Sequence, residues 1–181
     1  MTPRKQRVAF ADTSKVPAAD LERYKVNGKV VNIFATLLNH PKLLRAWGRF
    51  GGYILSDEQT LPPREREIAI LRIGWLNQAP YEWEQHVRIG KTTGLTDDDV
   101  DRISKGPKAG WSKHDAALLQ AADDLFENSV VSDETWKTLS EKYNTQQMMD
   151  LVFTIGQYNL VSWALNSLGV PLDDYLPGAK K

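Results

Sequence analysis

The sequence of 181 residues contains no cysteine. This absence excludes disulfides, thiolate metal sites, iron–sulfur ligation and thiol peroxidase chemistry. An excess of either charge is also lacking, because 23 Lys and Arg residues balance 23 Asp and Glu residues, so the overall charge does not point to a nucleic-acid partner. No run of about 18 apolar residues occurs, and residues 1–15 lack the apolar stretch of a signal peptide. We therefore expect a cytoplasmic protein with neither a nucleic-acid nor a membrane partner.

The pattern of apolar residues predicts one helical domain. Hydrophobic residues make up 41% of the sequence, and no Ser- or Gly-rich linker divides it, so residues 18–181 are expected to form a single domain. Residues 1–17 show neither a helical nor a strand period and are expected to be a flexible N-terminal arm. Beyond the arm, the spacing of apolar residues predicts an all-α fold with roughly eight helices and no strand. Three of these helices are expected to begin after capping residues, namely Thr96, Ser112 and Ser132.

Two segments are apolar on almost every side of the predicted helix. Residues 64–77 form the first, and a second helix starting at Pro80 and ending before Gly94 folds back on it, which predicts a central hairpin over residues 64–93. The last helix, residues 145–168, is also apolar on several faces. One small domain cannot cover such helices by itself, so the sequence predicts a homo-oligomer.

Glu82 and His86 are the clearest candidates for chemistry. They are four residues apart, which puts both side chains on one face of a helix. Glu67 lies on the preceding helix of the hairpin, and antiparallel packing brings it toward the same face. A carboxylate beside an imidazole fixes the tautomer of the ring and favours its charged form, as a general acid or base requires. Two alternatives remain at this point: a surface pair of Glu82 with His86, and a buried ion pair of Glu67 with Arg64 or Arg72.

The hairpin resembles a known family. The segments REREI (residues 64–68), LR (71–72) and YEWEQH (81–86) are similar to the signature hairpin of the carboxymuconolactone decarboxylase/alkylhydroperoxidase D-like superfamily, and the resemblance extends over about residues 28–170. It implies an alkylhydroperoxidase D-like helical bundle that assembles as a trimer or hexamer.

The resemblance also implies which residues act and which chemistry is missing. In the alkylhydroperoxidase D-like branch, a Glu is followed after twelve residues by the first of two cysteines, and a His follows the second cysteine by four. Glu67 and His86 match this motif, whereas Ala79 and Glu82 occupy the cysteine positions. Peroxidase activity is therefore not expected. The site is similar in kind to that of the decarboxylase branch, which moves protons without a cofactor, and it implies catalytic roles for His86, Glu82 and Glu67.

Five further residues are candidates for substrate binding. By the same resemblance, Arg64 or Arg72 would dock a substrate carboxylate. Tyr81 and Trp83 are candidates to wall a pocket for a flat ring, although aromatic residues at helical spacing are more often part of the core. Asn159 begins a polar stripe on the last helix, for which hydrogen bonding within the core is the alternative.

These observations lead to one functional hypothesis and two alternatives. The hypothesis is a cofactor-independent acid–base enzyme of lyase type, with His86 as the principal acid–base residue, that decarboxylates, isomerises or acts on a lactone ring in a small carboxylated or carbonyl substrate. The first alternative is a non-catalytic binding or assembly protein with the same fold. The second is a metal site formed by Glu67, Glu82 and His86, but no metal or cofactor is assigned, because a second His is lacking.

Overall fold

The structure, a computed structural model, describes residues 1–2, 4–177 and 179, and it confirms the all-α class. Within these residues there are nine α-helices, one short 3₁₀-helix at Thr13–Lys15 and one β-hairpin. The helices are α1 (Ala18–Glu22), α2 (Asn32–Leu37), α3 (Pro41–Ile54), α4 (Pro63–Leu76), α5 (Pro80–Thr92), α6 (Asp97–Lys105), α7 (Lys113–Asn128), α8 (Asp133–Ser140) and α9 (Thr145–Leu168).

The β-hairpin corrects the prediction that no strand would form. Strand β1 (Lys25–Val26) pairs antiparallel with β2 (Lys29–Val30) across the two-residue turn Asn27–Gly28. Both turn residues have positive φ, 51° for Asn27 and 78° for Gly28, as a tight hairpin turn requires. The Asn-Gly pair is a local signal for such a turn.

Proline residues and polar caps set where the helices begin. Pro63 and Pro80 occupy the first turns of α4 and α5, where a backbone N–H would have no partner within the helix, so proline costs no hydrogen bond there. The predicted caps are confirmed, since each capping side chain accepts a hydrogen bond from the backbone N–H three residues later. These caps are Thr96, Ser112 and Ser132.

Helix α4 is the centre of the bundle. It packs against α5, α6, α7 and α9, and ten of its residues are buried, from Glu65 to Gly74. The short turn after α4 sends the chain back along it as α5, so that the predicted central hairpin is formed. Gly74 allows the two helices to approach closely, because a Cβ there would lie 3.3 Å from Cγ of Glu82.

The surface of α9 carries an apolar stripe. Four large apolar side chains on this helix are each at least half exposed, at spacings of four, seven and three residues, so they lie along one side. They are Met149, Phe153, Leu160 and Trp163. No helix of the described chain, α9 included, is both long enough and apolar enough to cross a membrane.

The segment before α1 lies on the chain's own helices. The backbone N–H of Arg7 donates to the carbonyl of Leu168 (2.9 Å), and that of Ala11 donates to the carbonyl of Ala35 (2.9 Å). The side chain of Asn39 donates to the carbonyl of Ala9 at 2.9 Å. These bonds connect the arm to α9 and to the region around α2.

Candidate active site

The α4–α5 hairpin brings Glu67, Glu82 and His86 together. Nδ1 of His86 lies 2.7 Å from Oε2 of Glu67, and Nε2 lies 3.1 Å from Oε1 of Glu82. The first contact is a hydrogen bond, whereas the second has the distance of an ion pair without hydrogen-bond alignment. The imidazole ring is therefore held between two carboxylates, one at each nitrogen.

All three side chains are buried, with exposed fractions of 0% for Glu67, 3% for Glu82 and 5% for His86. Such burial rules out the alternative of a pair on the protein surface. Glu67 accepts its hydrogen bond from Nδ1–H, which leaves Nε2 of a neutral ring as an acceptor facing Glu82. The second oxygen of Glu67 lies 3.7 Å from Nε of Arg66, so this neighbouring cation partly compensates the buried carboxylate.

Burial and neighbouring charges shift the protonation of this group. Burial, together with the charge of Glu67, raises the pKa of Glu82 from its ordinary value of 4.5 to about 7, although His86 acts in the opposite direction. For His86, burial lowers the pKa, but the carboxylates of Glu67 and Glu82 outweigh it and raise the pKa above its ordinary value. Glu82 can therefore both take and give a proton near neutral pH.

A cavity of about 370 Å³ opens beside the two residues of α5. Glu82 and His86 line it, while Glu67 lies behind His86 and is not part of the wall. Tyr158 of α9 also lines the cavity and places its ring edge-on to His86, with ring centroids 4.8 Å apart. Most of the remaining wall is apolar and includes Val31, Phe34, Trp47 and Val161. The cavity has the size and character of a site for a small organic molecule.

The two arginines expected to dock a carboxylate do not line this cavity. Nη1 of Arg64 lies 3.2 Å from Oδ2 of Asp115. Arg72 is buried and makes a bidentate pair with Asp123, at 2.6 and 3.0 Å, and Nη1 also donates to the carbonyls of Ile103 and Ser104. Neither pairs with Glu67, so the alternative of a buried ion pair between Glu67 and one of these two arginines is not formed.

Of the other three substrate-binding candidates, one reaches the cavity. Tyr81 lines it and donates from its hydroxyl to Oδ2 of Asp173 at 2.5 Å. Trp83 instead packs in the core against Trp75, with ring centroids 5.0 Å apart. Asn159 accepts a hydrogen bond from Nδ2 of Asn77 at 2.7 Å. This contact agrees with the alternative interpretation of Asn159, hydrogen bonding within the core.

Several cavity residues were not among the sequence candidates. Three glycines of α3 and the amide of Gln157 on α9 form part of the wall, and Arg23 and Arg88 also line it. The glycines Gly48, Gly51 and Gly52 are spaced three and one residues apart, which places them on one side of a helix, so their spacing carried a signal. Helical spacing carried no such signal for Gln157 or for the two arginines, because one polar residue on a helix does not reveal which cavity it meets.

Glu67, Glu82 and His86 are not arranged as the ligands of one metal ion would be. The two carboxylates lie against opposite nitrogens of His86, so the three side chains do not converge on one point. Among the residues that the structure describes, no group of three or more His, Asp or Glu side chains is placed to hold a metal ion. The arrangement fits proton exchange between Glu82, His86 and a molecule in the cavity.

Comparison with known proteins identifies the fold. Residues 41–124 match the model of the Carboxymuconolactone decarboxylase family. None of the curated protein sequences compared with the chain shows a significant match. An uncharacterized peroxidase-related protein from Silicibacter sp. TM1040 superposes with a TM-score of 0.82 at 14% identity, over 99% of this chain and 96% of that one.

Two further solved structures share this fold. One is an alkylhydroperoxidase AhpD core protein from Ralstonia eutropha JMP134, with a TM-score of 0.81 at 22% identity over 93% of this chain and 92% of that one. The other is the debrominase Bmp8 in complex with 2,3,4-tribromopyrrole, with a TM-score of 0.72 at 17% identity over 96% and 95%. Residues 41–124 are therefore similar to the Carboxymuconolactone decarboxylase family, and the solved structures show that the chain has the alkylhydroperoxidase D-like helical fold.

Proposed function

We propose that the protein is an acid–base enzyme in which Glu82 and His86 move a proton to and from a small carbonyl compound. The observation that carries the proposal is a buried row of three side chains: Glu67 contacts His86, and His86 contacts Glu82. Of these, His86 and Glu82 line a cavity of about 370 Å³. Side chains alone suffice for such proton transfer, so the proposed reaction needs no cofactor.

The contacts divide the work among three residues. Glu67 holds the imidazole through Nδ1–H and so keeps Nε2 directed at Glu82. With its pKa raised to about 7, Glu82 exists as both acid and base at neutral pH. When Glu82 must act as a base, Nε2 of His86 can take its proton, and the charge that forms on the ring is stabilised by Glu67. His86 and Glu82 therefore share the acid–base role, and Glu67 positions the ring.

The cavity wall supports a substrate with a flat, mainly apolar body. Aromatic and aliphatic side chains form most of it, and two arginines, Arg23 and Arg88, lie along it. Arg88 is exposed and has no ion-pair partner among the described residues, so it is available to an anionic group. We propose that Arg88 takes the carboxylate-docking role that the sequence had suggested for Arg64 or Arg72. Decarboxylation, isomerisation and lactone chemistry all meet this description, and the first would make the enzyme a lyase.

A non-catalytic protein with the same fold is the competing function. A buried carboxylate that is poorly paired lowers the stability of the folded protein. In a non-catalytic protein, no function would offset the cost of placing three titratable side chains together beside a cavity. Oε1 of Glu82 is buried and has no hydrogen-bond partner in the described part of the chain, and Glu82 lines the cavity with His86. This costly arrangement favours the enzyme.

The test is exchange of carbon-bound hydrogen with solvent. A panel of lactones and of β-keto and enol acids is incubated with the protein in D₂O, and NMR spectroscopy records deuterium uptake while released carbon dioxide is monitored. We expect His86→Gln and Glu82→Gln to lower the rate on an accepted compound by about 100-fold or more, as expected for a positioned acid–base group.

The matched control is Glu84→Gln, which makes the same chemical change on the same helix but at a residue outside the cavity wall. It should keep the rate of the unaltered protein. Full activity of both His86→Gln and Glu82→Gln on an accepted compound would refute the proposed roles. If the unaltered protein exchanges hydrogen in no compound of the panel, the non-catalytic function gains support.

A further inference from the structure

Gln157 of α9 is a buried side chain whose amide has an unused donor. Its exposed fraction is 6%, it lines the cavity, and its Nε2 has no hydrogen-bond partner among the residues that the structure describes. A buried donor without a partner lowers the stability of the folded protein. Two nearby polar residues on α9 are hydrogen-bonded instead: Thr154 accepts a hydrogen bond from Gln59, and Asn159 accepts one from Asn77. The amide of Gln157 is therefore an unsatisfied group at the wall of a site.

The wall next to this amide is a helix face without side chains. Gly48, Gly51 and Gly52 of α3 line the cavity, although glycine within a helix is less favourable than alanine. A Cβ at Gly48 or Gly52 would meet no atom within 4 Å, so both positions border open space. A Cβ at Gly51 would lie 3.7 Å from Nε2 of Gln157, which places the amide beside this face. A flat molecule can lie on the glycine face with its edge toward the amide.

We propose that Gln157 binds the carbonyl oxygen of a planar substrate that lies on the glycine face of α3. This inference rests on the proposed function and names its substrate class: a flat ketone, lactone or enol acid with hydrogen on the carbon next to the carbonyl. Gln157 would act as a substrate-binding residue opposite the proton-transfer pair of α5.

The proposed step needs no other reactant. Glu82 takes the proton from the carbon next to the carbonyl, and the electron pair of the broken C–H bond forms a C=C bond. The π electrons of the carbonyl move to its oxygen, where the negative charge is stabilised by the N–H of Gln157. If the proton on Glu82 first exchanges with solvent, protonation of the same carbon replaces its hydrogen, whereas protonation of another carbon of the conjugated system isomerises the substrate.

Ser162 supplies a matched control on the same helix. It is fully buried, its Oγ also lacks a hydrogen-bond partner within residues 1–2, 4–177 and 179, and it does not line the cavity. Gln157→Met and Ser162→Ala both remove an unpartnered polar group from α9, but only the first changes the cavity wall. Removal of such a group should raise the melting temperature of both variants.

The probes are 1-indanone, a planar ketone, and indane, the hydrocarbon of the same shape without the oxygen. Calorimetry should show that the unaltered protein binds 1-indanone more tightly than indane. Gln157→Met should weaken the binding of 1-indanone by about 3- to 10-fold, the loss expected for one neutral hydrogen bond, without weakening that of indane. Ser162→Ala should leave both affinities unchanged.

Three results would overturn the assignment of Gln157. They are an equal loss of affinity for both probes, no loss for 1-indanone, and no preference of the unaltered protein for 1-indanone. A merely structural role of Gln157 would instead lower the melting temperature of Gln157→Met and weaken the binding of both probes alike.

Deuterium exchange at the carbon next to the carbonyl of 1-indanone separates the two proposals. If Gln157→Met loses affinity for 1-indanone only, but the unaltered protein exchanges no hydrogen, the carbonyl-binding role of Gln157 is retained and the acid–base function is refuted. If hydrogen exchange depends on Glu82 but the binding of 1-indanone does not depend on Gln157, the acid–base function is retained and the role of Gln157 is refuted.

Discussion

Replacing Glu82 by Gln should make the protein more stable, and the gain should grow with pH. Glu82 is buried among apolar residues and beside Glu67, and its pKa rises from 4.5 to about 7. Because the pKa of the folded state lies above that of the unfolded state, the unfolded chain releases this proton at lower pH. The folded protein therefore loses stability as pH rises from about 4.5 to 7, and it keeps that loss above pH 7.

The size of the effect follows from the two pKa values. Raising the pKa of one group from 4.5 to about 7 corresponds to about 3 kcal/mol of unfolding free energy once the group is ionised. Urea unfolding of the unaltered protein and of Glu82→Gln, at pH 5, 6, 7 and 8 and one protein concentration, measures this effect. We expect the stability advantage of the variant to increase by about 2 to 3 kcal/mol between pH 5 and pH 8.

Glu127→Gln is the control for this experiment, because Glu127 is exposed on α7 and does not line the cavity. Its stability difference from the unaltered protein should stay nearly constant with pH. A constant difference for Glu82→Gln over the same range would refute the argument, since it would mean that Glu82 titrates as it does in the unfolded chain. A difference that falls as pH rises would refute it as well.

Two further predictions concern other parts of the molecule. Arg72→Met should lower the free energy of unfolding, as measured with urea, by about 3 to 5 kcal/mol, because it leaves Asp123 largely buried without its bidentate partner. The control is Lys105→Met, which removes an exposed ion pair and should change the stability little. Equal effects of the two substitutions would contradict the reasoning. Leu160→Glu and Trp163→Glu should weaken the self-association that the sequence predicts, because they place charge on the exposed apolar stripe of α9. An unchanged mass in sedimentation velocity would exclude this stripe as the contact surface.

The sequence by itself determined the features that depend on short separations along the chain. Helix starts at Pro80, Thr96 and Ser112 could be predicted, since a proline or a capping side chain acts on backbone groups within one turn. The approach of Glu82 to His86 follows from their spacing of four residues on a helix. The absence of cysteine excluded thiol chemistry without any structure. The missed turn at residues 27–28 is also local, and the Asn-Gly pair carried its signal.

Tertiary packing decided the rest of the site. Arg64 and Arg72 each pair with an Asp 51 residues away on α7, and no periodicity in the sequence indicates which long-range partner an arginine meets. The same is true of Gln157, which reaches the cavity only because α9 packs beside the glycine face of α3. The sequence did not indicate which nitrogen of His86 would face which carboxylate. The packing of the hairpin places Glu67 at Nδ1 and Glu82 at Nε2. Helical periodicity states which face of a helix is apolar, whereas cavities and ion pairs arise where faces from distant parts of the chain meet.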